Sequence, residues 1–118
     1  MDACPTNALK KPYCLNANNC IAYQTIENKS SITETIRSKT QKYIFGCDIC
    51  QRACPQNKLA EETRIEEFRI QEPFLHWTNS DWENVEEENF KSRFNDSVLS
   101  RTGMEKLKEN MLFVKENK

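Results

Sequence analysis

The sequence predicts a mainly α protein in two parts: a module of short helices and turns around clustered cysteines, followed by a small helical tail. Two observations carry this expectation. All six cysteines lie between Cys4 and Cys54, whereas the remainder has none and repeats apolar side chains at helical spacings. With 37% hydrophobic residues in a chain of 118 the core is thin, and such chains usually need a metal, a disulfide or a partner to become stable. The cysteines are the available staple.

The first part covers residues 1–58. Pro5, Pro12, Pro55 and the polar stretch from Asn16 to Asn19 punctuate it, which predicts short helices and turns and no extended sheet. Ser30 to Lys42 reads as a helix with Ser31 or Thr33 near its start, since Ile32 and Ile36 fall at i and i+4 on one face. That helix would space Cys20 from Cys47.

The second part covers 59–118. Leu59 to Ile70 reads as a charged helix broken around Pro73, because proline disfavours helical geometry in the residue before it. Asn79-Ser80-Asp81 supplies helix-start residues, and Trp82, Val85, Asn89, Phe90 and Phe94 form an amphipathic stripe with Glu86 to Glu88 on the solvated face. Gly103 to Glu116 carries Met104, Leu107, Met111 and Val114 at spacings of three and four, the pattern of a packing helix. There is no internal repeat.

The formal net charge of −1 gives no broad bias towards nucleic acid, so the chain by itself is expected to bind RNA weakly. No apolar run approaches a membrane span, and the first residues lack the pattern of a signal peptide. The expected location is the cytosol. In that reducing compartment, clustered cysteines point to metal or redox chemistry rather than disulfides.

Two Cys-Pro signals concentrate the chemistry: Cys4-Pro5, and the run Cys47-Asp48-Ile49-Cys50-Gln51-Arg52-Ala53-Cys54-Pro55. Two-cluster ferredoxins use C-x2-C-x2-C-x3-C-P, in which the first three cysteines bind one [4Fe–4S] cluster and the last reaches across to another. Here the first cysteine of that run is replaced by Ile44. Cys20 is the natural substitute, and the crossing rule brings in Cys4, so Cys4, Cys20, Cys47 and Cys50 complete one cluster. By the same rule Cys54 serves a second cluster, whose other ligands would lie upstream of Met1. A C-x2-C pair alone fits zinc equally well, and it is the C-P extensions that favour iron–sulfur. Cys14 reads as a small, partly buried residue without a ligand role, and His76 beside Trp77 as packed or hydrogen-bonded.

Three blocks carry a more specific likeness: Cys-Pro-Thr-Asn-Ala-Leu at 4–9, Cys-Ile-Ala-Tyr-Gln-Thr-Ile-Glu at 20–27, and Phe-Gly-Cys-Asp-Ile-Cys-Gln-Arg-Ala-Cys-Pro-Gln-Asn at 45–57. In order and spacing the chain resembles the epoxyqueuosine reductase family. The tail resembles it more loosely, through Trp82, Phe90, Phe94, Ser97 and Arg101. Gln56 departs from the tryptophan, and Glu109-Asn110 from the Arg-Asn, that the family usually has. The resemblance implies a cobalamin-dependent iron–sulfur reductase that converts epoxyqueuosine to queuosine in tRNA, with the cobalamin domain and the catalytic acid upstream.

It also implies that Cys4, Cys20, Cys47 and Cys50 hold the cluster near the cobalamin, and that Cys54 belongs to the other cluster. Tyr23 and Asp48 adjoin ligands in the most family-like blocks and are candidates for the cobalamin-facing side, or else a core residue and a turn residue. The implied partners are the tRNA substrate, the cobalamin domain and an external electron donor, with no membrane and a monomeric state. No catalysis is expected of this stretch alone. Two other readings are open, a stand-alone ferredoxin-like module and a zinc-stabilised interaction domain.

Overall fold

The computed structural model describes residues 1–40, 42–70, 74 and 76–116, with backbone alone at 115 and 116. Short elements dominate the cysteine half. A two-stranded antiparallel hairpin, β1 (Leu9–Lys11) and β2 (Cys14–Leu15), pairs Leu9 with Leu15 and Lys11 with Cys14 around an irregular register. Tyr13 closes its tip at φ +61°, in the left-handed region. A 3₁₀ turn (Ala17–Asn19) then leads into α1 (Ile21–Ile26), and α2 (Glu34–Arg37) and α3 (Ile49–Ala53) follow. The hairpin is more sheet than the prolines suggested, though neither strand exceeds three residues.

The helix expected over 30–42 contracts to the single turn of α2. Its threonines and serines explain this. Thr33 takes the extended N-cap conformation, while Ser38 Oγ donates to the Thr35 carbonyl and Thr40 Oγ1 to the Arg37 carbonyl at 2.8 Å. Such local side-chain bonds compete with helix propagation.

Leu59 to Ile70 does not form the expected charged helix. Two 3₁₀ turns, Pro55–Leu59 and Glu66–Phe68, flank an irregular stretch, and every residue from 55 to 70 is exposed. Leu59, Ile65, Phe68 and Ile70 do not share one helical face, so no packing offsets the cost of nucleating a short helix. The proposed break at Pro73 lies outside the described residues.

The tail is helical: α4 (Asn79–Glu83), α5 (Glu87–Phe94), α6 (Leu99–Thr102) and α7 (Met104–Glu116). The helix start falls at Thr78, in a capping box with Asp81. The Trp82–Phe94 stripe spans two helices, since Asn84 closes α4 by donating to the Ser80 carbonyl at 2.8 Å and Glu86 is extended. Val85, Phe90 and Phe94 are buried as expected, whereas Asn89 is exposed.

Two apolar clusters form the core. Ile21, Ile32, Ile36 and Phe113 make the first, with Tyr43 and Cys47 packed against it. Val85, Phe90, Phe94 and Leu107 make the second, with Phe45, Trp77, Trp82 and Met111 among its neighbours. Phe94 is its centre, with Phe74 and Phe90 rings at 4.6 and 4.9 Å. The helix α7 reaches both clusters, through Phe113 and Leu107, and so ties the tail to the cysteine half. No described helix is long and apolar enough to cross a membrane.

Candidate metal centre

The candidate ligands lie in turns or at the ends of short helices, where nearby backbone N–H groups can be left for sulfur. Cys4 lies in a tight turn, its N–H donating to the Met1 carbonyl and its own carbonyl accepting from Asn7, which turns at φ +51°. The Ala8 N–H donates to Cys4 Sγ at 3.3 Å, and Thr6 Oγ1 lies 3.5 Å from the same sulfur. Burial pushes the Cys4 thiol up, but the hydrogen bonds from Thr6 and from the Ala8 and Leu9 backbone outweigh it and hold the thiol below its ordinary value. That is the electrostatic environment of a thiolate ligand.

Cys20 is the N-cap residue of α1, half-buried, with its carbonyl accepting from the Gln24 N–H at 2.9 Å. Cys47 follows Gly46, whose φ of +74° favours a residue without a Cβ. The Gly46 N–H donates to Thr25 Oγ1 at 3.0 Å, and this bond sets the loop against α1. Burial pushes the Cys47 thiol up, and the neighbouring charges of Cys50, Cys20 and Asp48 add to that, partly offset by the Ile49 N–H. Cys20 and Cys50 thus lie within electrostatic reach of Cys47. Cys50 is exposed in the first turn of α3, and Cys54 is its half-buried C-cap residue.

This donor set fits an iron–sulfur cluster. Iron would compensate the charge of thiolates brought near one another, and backbone N–H groups already point at the sulfurs of Cys4 and Cys47. Among the described residues, no three His, Cys, Asp or Glu side chains are gathered closely enough to hold a single metal ion.

The remaining predicted residues are placed as follows. Tyr23 lies on α1 at 38% exposure, which removes the reading of it as core. Asp48 occupies the N-cap position of α3 without a side-chain capping bond, and its Oδ1 instead accepts from the Tyr43 hydroxyl at 2.8 Å. That bond is the main cause holding the Tyr43 phenol above its ordinary value. Cys14 is exposed on the hairpin rather than partly buried, because both residues of β2 are exposed. His76 is exposed beside the half-buried Trp77. Sequence reading assigns no role to Tyr43, Thr25 or Asn110, and Gly46, directly before a candidate ligand, is the position with a local signal.

Residues 1–57 match the protein family described as the 4Fe-4S double cluster binding domain. The chain is 43% identical over 116 residues to an epoxyqueuosine reductase of Leadbetterella byssophila, covering 98% of this chain and 37% of that protein. An epoxyqueuosine reductase of Cellulophaga algicola is 37% identical over 115 residues, again 98% of this chain and 38% of the relative. The chain thus spans little more than a third of the length of these relatives.

Among solved structures, epoxyqueuosine reductase with a tRNA-Tyr epoxyqueuosine-modified stem loop superposes with a TM-score of 0.87 at 28% identity, covering 98% of this chain and 31% of that one. The enzyme from Streptococcus thermophilus gives 0.81 at 30% identity, over 98% and 30%. By sequence and by fold, nearly the whole of the chain is homologous to about a third of the length of epoxyqueuosine reductases.

Proposed function

We propose that this chain is the electron-relay segment of an epoxyqueuosine reductase, with Cys4, Cys20, Cys47 and Cys50 holding one [4Fe–4S] cluster and Cys54 contributing a ligand to a second. The observation that carries the reading is that all five candidate ligands fall inside residues 1–57, the segment that matches a double-cluster family, with Cys20 and Cys50 near enough to Cys47 to help raise its thiol. In this reading, 1–58 is the cluster-bearing unit and 59–118 the helical support. When bound, such clusters pass electrons one at a time, and cobalamin supplies the reactive centre for epoxide reduction.

The chain's own residues have three tasks. The Ala8 and Ile49 N–H groups stabilise sulfur charge, the Gly46 turn presents Cys47, and packing on the cluster of Ile21, Ile32, Ile36 and Phe113 keeps water from one side of that thiol. Tyr23 and Asp48, both exposed and adjoining ligand segments, are the residues we assign to the cobalamin-facing surface. The tRNA substrate, the cobalamin domain and an external donor are partners of the whole reductase, which would act as a monomer in the cytosol.

Anaerobic reconstitution of the full chain with iron and sulfide tests the reading. About four of each per chain, with a broad visible band that bleaches on reduction, is the expected outcome. Tightly held zinc and no such band would instead make the chain a structural interaction domain.

A further inference from the structure

The helix α7 carries one buried polar side chain that the relay reading leaves unexplained. Asn110 is 1% exposed, and its Nδ2 donates to the Thr25 carbonyl at 3.0 Å and to the Ile44 carbonyl at 2.8 Å. Thr25 is itself fully buried, and its Oγ1 donates back to the Ile21 carbonyl while accepting from the Gly46 N–H. The loop ahead of Cys47 is therefore pinned at two points, the carbonyl of residue 44 and the N–H of residue 46. The second pin ends directly on Thr25 in the C-terminal half of α1, the helix that begins after Cys20, and the first reaches the same residue through Asn110 on α7.

Asn110 Oδ1 is buried and has no hydrogen-bond partner among the described residues. A buried acceptor left unpaired is costly, and an apolar residue of the same size would avoid that cost. Against that cost stand its two N–H donors, which satisfy the Thr25 and Ile44 carbonyls that an apolar residue would leave unpaired. They join a helix carrying one candidate ligand to a loop carrying another.

We propose that Asn110 is a positioning residue for the iron–sulfur centre, fixing the spacing of Cys47 from Cys20 by holding the loop at Ile44 against the end of α1. The proposal rests on the ligand reading given above. Asn110 acts through the backbone and touches no ligand sulfur. The other ties from the tail are different in kind: Thr102 Oγ1 donates to the Ile26 carbonyl at 3.3 Å and Lys106 Nζ to the Ser30 carbonyl at 3.2 Å, and neither engages the Cys47 loop. They serve as internal controls.

The experiment compares Asn110→Leu with Thr102→Val in the reconstituted full chain, at temperatures chosen to equalise their distance from melting. Iron release to a ferrous chelator, the midpoint potential and the electron paramagnetic resonance spectrum of the reduced cluster are recorded. Asn110→Leu is expected to release iron roughly tenfold faster than Thr102→Val, the low end of what outer-sphere changes cost metal sites, and to shift both potential and spectrum. Equal release rates and unchanged spectra would overturn the proposal.

Should Asn110→Leu not fold, Thr25→Val removes the Gly46 pin, together with the hydroxyl's own bond to the Ile21 carbonyl, while leaving the Ile44 pin, and is expected to alter the same three readouts. Hydrogen exchange in the metal-free chain separates this inference from the ligand reading. Faster exchange of the Gly46 amide in Asn110→Leu but not in Thr102→Val supports positioning even if wild type takes up no cluster. Equal exchange in the two variants counts against it.

Discussion

The two ends of the Cys47–Cys54 run are supported in opposite ways. At Cys47 the loop is pinned by Thr25 and Asn110 and packed on the cluster of Ile21, Ile32, Ile36 and Phe113. Beyond Cys54 the chain runs for sixteen residues, 55 to 70, with every side chain exposed. The ties there are local, such as Asn57 Nδ2 donating to the Gln51 carbonyl. The first end is held by residues far away in sequence, and the second mostly by its neighbours. A ligand site built the first way is pre-shaped before metal arrives, which lowers the ordering cost of binding.

The sharpest break in this contrast comes from the ligands. Cys20→Ala is expected to abolish cluster uptake, while Cys14→Ala and Cys54→Ser keep about four irons per chain. Iron and sulfide analysis after reconstitution decides it, and a full complement in Cys20→Ala would remove Cys20 from the ligand set. Next in size is the packing behind Cys47. Phe113 is buried with the Arg37 guanidinium 3.7 Å from its ring centre, so Phe113→Ala is expected to cost about 3–5 kcal/mol in urea unfolding of the metal-free chain.

A smaller effect belongs to the cap of α4, where Thr78→Ala is expected to cost about 1 kcal/mol. Its pH dependence has a definite sign. Hydrogen bonds from the Thr78 side chain and backbone hold the Asp81 carboxyl below its ordinary value of 3.8, so this contribution is present above that pH and lost as acid protonates the folded state. A melting profile taken downward from pH 5 should show the loss in wild type and not in Asp81→Ala. Smallest of all is the exposed stretch: Phe68, at 71% exposure, should tolerate Phe68→Ala within about 0.5 kcal/mol. A larger change would show that the stretch packs after all, and the contrast would fail.

What was legible in the sequence follows the same division. The candidate ligands were found from spacing because Cys47, Cys50 and Cys54 lie within one short segment, and the Cys-Pro pairs mark their own turns. The packing helix α7 was legible because Leu107, Met111 and Val114 repeat on one face, although Phe113 and Asn110 off that register do the burying that matters to the loop. Asn110 reaches carbonyls 85 and 66 residues away, and no local pattern encodes that. The 59–70 helix failed for the converse reason. Its composition suits a helix, but its apolar residues define no face, and a short helix without packing is not stable.

The position of α7 also sets an order of events during synthesis. At about 5–20 residues per second, the 66 residues between Ile44 and Asn110 correspond to roughly 3–13 s in which the cysteine segment exists without its brace. Once Cys54 is made, the thiols are present but not yet braced, and early-arriving iron would meet a loop free to take other geometries. On the ligand reading, correct loading is expected after translation of α7, and a stop codon ahead of residue 110 would leave every candidate cysteine in place yet remove the tie at Ile44.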